Sequence, residues 1–143
     1  MSSRRGFLKS ASGAVAACAV GGTLASLLES CGSIKFVSAA EKDGKLAVSR
    51  TDFAGQFVVV KTAAIPFPVY LSKSSGTAEN YTALLMRCTH KHCEVKPAGN
   101  VLLCPCHYSE FSAAGKVLKG PASTDLEKFT VSHDSQNIYI HLR

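Results

Sequence analysis

Beyond its first thirty residues this chain has no cluster of charge. No two Lys or Arg are adjacent there, and 13 of them stand against 9 Asp+Glu across residues 31–143. That scatter is a solvated surface, and it excludes a nucleic-acid footprint. Helical periodicity is missing too: no stretch of that span keeps an apolar face over three turns. There is no internal repeat, and the one polar stretch, Ser72 to Asn80, reads as a loop. A strongly apolar long run is also lacking. The uncharged segment Ala11–Leu28 is rich in Ala, Gly and Ser, a poor composition for a membrane span. What remains, 143 residues with 46% apolar content, suits one domain with a modest core.

The N-terminus reads as a targeting segment. Arg4 and Arg5 sit in Ser-Arg-Arg-Gly-Phe-Leu-Lys, directly before the weakly hydrophobic run. That order is the pattern of a twin-arginine export signal. The run ends in Leu-Glu-Ser-Cys, which resembles a lipoprotein box with Cys31 as the lipidated residue, although Glu29 is unusual inside one. Cleavage near Val37–Ala40, or retention of the run as an anchor, are the alternatives. Residues 1–30 are therefore expected to be signal or anchor, and residues 31–143 the functional domain. Each reading puts that domain on the periplasmic or extracytoplasmic face, and two of the three tether it to a membrane.

From Ile34 onward, short β-type segments alternate with turn residues. "KFVSA" and "KLAVS" flank Glu-Lys-Asp-Gly, where Asp43-Gly44 signals a tight hairpin. "QFVVVKT" and "PVYLSKS" are separated by Pro66 and Pro68, which disfavour a strand between them. "FTVS" and "NIYIHL" form a last hairpin in which Ile138, Ile140 and Leu142 share one face. His133 and His141 in that hairpin are expected to face solvent. The fold class that follows is all-β, an antiparallel sandwich or barrel-like domain.

The chemistry is concentrated between Cys88 and Phe111. Of the six cysteines, Cys18 and Cys31 belong to the N-terminal segment, which leaves Cys88, Cys93, Cys104 and Cys106. His90, His92 and His107 lie among them, in the order C-x-H-x-x-C, ten residues, then C-P-C-H-x-S. Structural zinc also takes Cys and His, but it favours Cys pairs roughly two to four residues apart. Here each half mixes Cys with His and leaves one thiol over.

"CTHKHC" and "CPCHYS" resemble the two binding boxes of the Rieske iron–sulfur family, and the resemblance runs through "EFSAAGKVLKGPAS" to cover most of Tyr81 to Val131. It implies a Rieske-like β-sandwich with a small cluster-binding subdomain of two loops. It also implies one [2Fe-2S] cluster, with Cys88 and Cys104 on one iron and His90 and His107 on the other. Cys93 and Cys106 would be the disulfide that joins the loops, and His92 would not be a ligand. Two neutral imidazoles in place of two thiolates remove negative charge. That lifts the potential to roughly −150 to +300 mV, against about −400 mV for plant-type all-cysteine centres. The imidazoles can also exchange a proton near neutral pH, which suits hydroquinone oxidation. A cluster assembled in the cytoplasm needs export of folded protein, which agrees with Arg4-Arg5. A disulfide persists mainly outside the reducing cytosol.

The implied function is a membrane-tethered one-electron carrier, the iron–sulfur subunit of a quinol-oxidising cytochrome bc-type complex. Its donor would be quinol at a cytochrome b-type membrane subunit and its acceptor a cytochrome c-like protein. It would be an oxidoreductase subunit, not catalytic alone. The alternatives are a small Rieske subunit of another exported oxidoreductase, similar to that of arsenite oxidase, and a zinc-stabilised binding module with no redox role. A Rieske oxygenase would need far more chain for its catalytic domain.

Around the boxes, Ser109 matches a family serine that hydrogen-bonds a bridging sulfide. Phe111 stands where high-potential members have Tyr, so one hydrogen bond to a ligand sulfur should be missing and the potential lower. Lys91 replaces an apolar residue, His92 a glycine, and Tyr108 a residue that is Gly in many relatives. Lys91 puts docking into a quinone pocket in doubt. Gly120-Pro121 is expected to form a rigid loop over the other side of the cluster.

Overall fold

The computed structural model describes residues 33–53, 55–74 and 80–142. Arg4, Arg5 and Cys31, and with them the export and lipid readings, lie outside that span. Among the described residues there are strands and no helix. Seven come first: β1 (Phe36–Ser38), β2 (Glu41–Lys42), β3 (Lys45–Ser49), β4 (Phe57–Lys61), β5 (Val69–Lys73), β6 (Tyr81–Leu85) and β7 (Lys96–Ala98). Then follow β8 (Val101–Leu103), β9 (Glu110–Ser112), β10 (Val117–Lys119), β11 (Lys128–His133) and β12 (Asn137–His141).

Eight strands form one sheet in the order β1-β4-β5-β6-β11-β12-β3-β2. Its two halves differ in how they are covered, and the sequence shows it. In β3 and β12 the burial alternates: Leu46, Val48, Ile138 and Ile140 are inside while their neighbours are open or half-open. Such strands have one face on the core and one toward water. In β4 the run Val58-Val59-Val60 is buried throughout, as is Val69-Tyr70-Leu71-Ser72 in β5. These strands are covered on both faces, so their apolar runs are continuous. Val58, Val60, Val69 and Leu71 join Leu46, Ile138 and Ile140 in the sheet's own core. Val59, Tyr70, Leu84 and Met86 face the other way, into a second core with Leu102, Phe111, Cys88 and Cys104. That second core joins the large sheet to a four-stranded one, β10-β9-β8-β7.

Three local expectations need correction. The Asp43-Gly44 hairpin forms, with φ of 51° and 72°, the positive values its tight turn requires. Its arms, however, are β2 and β3. "KFVSA" supplies β1, which instead pairs in parallel with β4, so the sheet is not wholly antiparallel. Ser72 and Lys73 pair with Thr82 and Tyr81 in β5, which bears out "PVYLSKS" as a strand and moves the start of the expected Ser72–Asn80 loop past Lys73. In the last hairpin His133 is exposed, but His141 is half-buried and within 2.7 Å of the Ser132 hydroxyl.

Candidate metal centre

Each Cys/His box leaves a strand and folds into the same tight turn. The first follows β6. In it, the Cys88 N–H donates to the Cys93 carbonyl at 2.8 Å, and the His92 N–H donates to the Cys88 carbonyl at 2.9 Å. The second follows β8, where the Cys104 N–H donates to the Ser109 carbonyl at 2.8 Å and the Tyr108 N–H to the Cys104 carbonyl at 3.0 Å. The fourth residue after each leading cysteine must be left-handed to close the turn: His92 has φ 59° and Tyr108 φ 58°. That is why glycine suits both positions, and why a side chain there carries conformational strain. The equivalence of Cys93 with Ser109 escaped the sequence reading; the paired glycine replacements at positions 92 and 108 were its signal.

These turns bring together two thiols and two imidazoles. Cys88 and Cys104 are free and buried. The rings of His90 and His107 meet edge to face, with centroids 4.9 Å apart and planes at 82°. His107 is exposed and His90 half-buried, and His90 Nδ1 is buried with no hydrogen-bond partner. An unsatisfied buried nitrogen calls for an explanation, and a metal ion is one. Burial pushes the Cys104 thiol above the ordinary thiol range. The Cys106 amide opposes that rise, the Cys88 sulfur adds to it, and the His107 amide also opposes it. Two backbone N–H groups thus support a thiolate at Cys104, while its apolar surroundings disfavour one without a cation beside it.

The surplus thiols are bonded to each other: Cys93 and Cys106 form a disulfide whose Cα atoms are 6.5 Å apart, joining the two turns. The sulfurs of Cys93, Cys104 and Cys106 lie within 4.8 Å of one another. They are no metal triad, because two of the three are already in the disulfide. A third segment, residues 120–125, is fastened to both boxes. The Ala122 N–H donates to Ser109 Oγ at 3.0 Å, and Thr89 Oγ1 donates to the Thr124 carbonyl at 2.6 Å. Thr89 and Ala122 were not singled out from the sequence. Gly120-Pro121 is a cis peptide at the exposed start of this segment. Ser109 is fully buried and accepts from Ala122, which leaves its own hydroxyl proton for another acceptor. Phe111 is fully buried in the second core, to which Cys88 and Cys104 also belong. Lys91 and His92 are exposed at the first turn.

Residues 39–130 match the family model for the Rieske [2Fe-2S] domain. The chain belongs to that family. As a Rieske domain it carries one [2Fe-2S] cluster, and the donor set fits: two buried thiols, two adjoining imidazoles and one nitrogen lacking a partner. The cytochrome b6-f complex iron-sulfur subunit of Synechococcus sp. (strain JA-3-3Ab) is 38% identical over 73 residues, covering 50% of this chain and 42% of that protein. The cytochrome b6-f complex iron-sulfur subunit 1 of the Cyanophora paradoxa cyanelle is 44% identical over 62 residues, 42% of this chain and 26% of that one. This Rieske chain therefore spans less than half the length of those relatives. Among solved structures, a chain from the complex of reduced oxygenase and oxidized ferredoxin in carbazole 1,9a-dioxygenase has a TM-score of 0.52 at 21% identity. The match covers 70% of this chain and 94% of that one, and bears on the fold alone.

Proposed function

We propose that this Rieske domain is a one-electron carrier, the iron–sulfur subunit of a quinol-oxidising cytochrome bc-type complex. In this reading Cys88 and Cys104 hold one iron, and His90 and His107 hold the other. The observation that carries it is His90 Nδ1, buried without a partner beside the His107 ring, in boxes that each also carry one free, buried thiol, Cys88 and Cys104. When bound, the cluster supplies one-electron transfer at a potential raised by its imidazole ligands.

The protein's part is to orient, shield and exchange protons. The Cys106 and His107 amides orient the Cys104 sulfur, and the apolar second core keeps water from both thiols. Each imidazole that binds iron through one nitrogen keeps the other to hold or release a proton. His107, the exposed ring, is the group that meets quinol or the acceptor. Ser109, whose oxygen accepts from Ala122, keeps a hydroxyl proton that would be available to a sulfide of the bound cluster, and the disulfide keeps the two turns from separating. The 120–125 segment covers the remaining side. No helix among the described residues is long and apolar enough to cross a membrane. The proposed tether is the N-terminal segment, by lipid on Cys31 or by the run itself, after export through Arg4-Arg5, as its sequence pattern suggests. The similarity to cytochrome b6-f subunits supports a cytochrome b-type partner, with a cytochrome c-like acceptor.

Anaerobic reconstitution with iron and sulfide tests the proposal. Equal iron and acid-labile sulfide, with an electron paramagnetic resonance signal on reduction, is the expected result. Zinc retention with a silent spectrum would refute it. Affinity purification from membranes of the source cell should recover a cytochrome b-type subunit, and recovery of a molybdenum enzyme instead would reassign the complex.

A further inference from the structure

Three exposed side chains beside the paired imidazoles make no side-chain hydrogen bond or ion pair among the described residues. Tyr108, next to His107, is 66% exposed although its φ of 58° is unfavourable for a non-glycine residue. His92 adopts the same conformation at φ 59° and is also exposed. Lys91, next to His90, is exposed and forms no ion pair among the described residues. The acids of the adjoining segments are already matched: Glu110 with Lys119 at 3.3 Å, Asp125 with Lys116 at 2.7 Å and Glu127 with Arg87 at 3.2 Å. Glu94, exposed just beyond Cys93, pairs with Arg87 through its backbone. Lys91 therefore sets the charge of the surface through which an electron would pass.

We infer that Lys91, His92 and Tyr108 form a docking surface for an acidic redox protein, the electron acceptor, whose own electron port is rimmed by Asp and Glu carboxylates. Tyr108 is the contact anchor and Lys91 the steering charge. Aromatic residues are favoured anchors at interface centres, and rim charges act mainly on the association rate. An ammonium resists burial in an apolar cavity, so this surface suits a carboxylate-rimmed partner better than a greasy one. The inference rests on the carrier reading above.

The test uses the full chain loaded with its cluster, reduced, and oxidised in a stopped-flow instrument. The oxidants are hexacyanoferrate(III), tris(phenanthroline)cobalt(III), and an acidic and a basic c-type cytochrome. For Lys91→Glu the charge changes by two. Against a trivalent anion at about 10 Å, the rate should fall roughly twenty-fold at about 10 mM salt and about five-fold at about 100 mM. The cationic oxidant should speed up instead. The acidic cytochrome should be the faster protein acceptor and should be slowed by Lys91→Glu. Tyr108→Gly should slow it several-fold with no loss of melting temperature and little change toward hexacyanoferrate. Rates indifferent to the sign of oxidant and residue, or a basic cytochrome preferred, would overturn the inference while a normal cluster signal leaves the carrier reading standing. Failure to assemble a cluster would remove both. Lys91-dependent binding to phosphatidylglycerol vesicles without cytochrome preference would assign the surface to a membrane and overturn the protein partner.

Discussion

Gly115→Ala tests the join between the large sheet and the cluster-bearing sheet. Gly115 lies in the turn between β9 and β10 at φ 84°, and an added Cβ would sit 2.7 Å from Leu84 Cδ2 and 3.5 Å from Leu126 Cβ. Leu84 is fully buried on β6 in the second core, so its side chain has little room to yield. The left-handed backbone alone costs alanine about 1–2 kcal/mol. Forcing a methyl into a filled core adds about 1–3 kcal/mol. Gly99→Ala is the control: its φ is 61°, with nothing within 4 Å of the new Cβ, so only the backbone contribution applies. At about 4–8 °C per kcal/mol for a domain of this size, Gly115→Ala should lower the melting temperature by roughly 10 °C or more. Gly99→Ala should lose less. Thermal melts of the loaded chain, followed by visible and far-ultraviolet circular dichroism, measure both. Equal losses in the two variants would refute the claim that close packing on Leu84 demands glycine.

Four further outcomes follow from the geometry. Replacing Cys93 and Cys106 together by alanine should cost about 3 kcal/mol through the freed 13-residue separation, read as a lower urea midpoint; an unchanged midpoint would contradict the tie. Ser109→Ala leaves the buried Ala122 N–H without its acceptor and should cost about 1–3 kcal/mol in the same assay, together with a lower cluster potential. Phe111→Tyr should raise the potential in a redox titration if its hydroxyl reaches a ligand sulfur, and no rise would refute that placement. The Asp134 carboxyl is held below its usual range by the Asn137 and Gln136 amides, with the Tyr139 hydroxyl adding to them. Its contribution is complete above the unfolded carboxylate value and is lost as pH falls through the depressed folded one. Stability against pH should therefore decline less steeply on the acid side in Asp134→Asn, and an unchanged slope would count against the turn.

The all-β class and the last hairpin were legible because they rest on local patterns, and the joining disulfide was legible only through the resemblance of the two boxes to the Rieske family. Alternation in "NIYIHL" places Ile138 and Ile140 inward whatever surrounds them, since period-two side chains must take opposite faces. Asp43-Gly44 likewise carries its own turn geometry. The parallel pairing of β1 with β4 was not legible, because hydrogen-bond partners across such a separation are selected by packing and not by local preference.

For the site, sequence alone determined the donor types and their order, since the spacing of Cys and His is a property of the chain. It also marked positions 92 and 108 as places where a glycine is missing. Only the tertiary structure decided that those positions are left-handed equivalents in two matching turns, and that Cys93 answers to Ser109. It alone brought Thr89 to Thr124 and Ala122 to Ser109, contacts between residues 35 and 13 positions apart. The reason is physical: a donor's identity is carried by its own atoms. Whether it finds a partner depends on a backbone path closed elsewhere, here by the core between Leu84, Leu102 and Phe111.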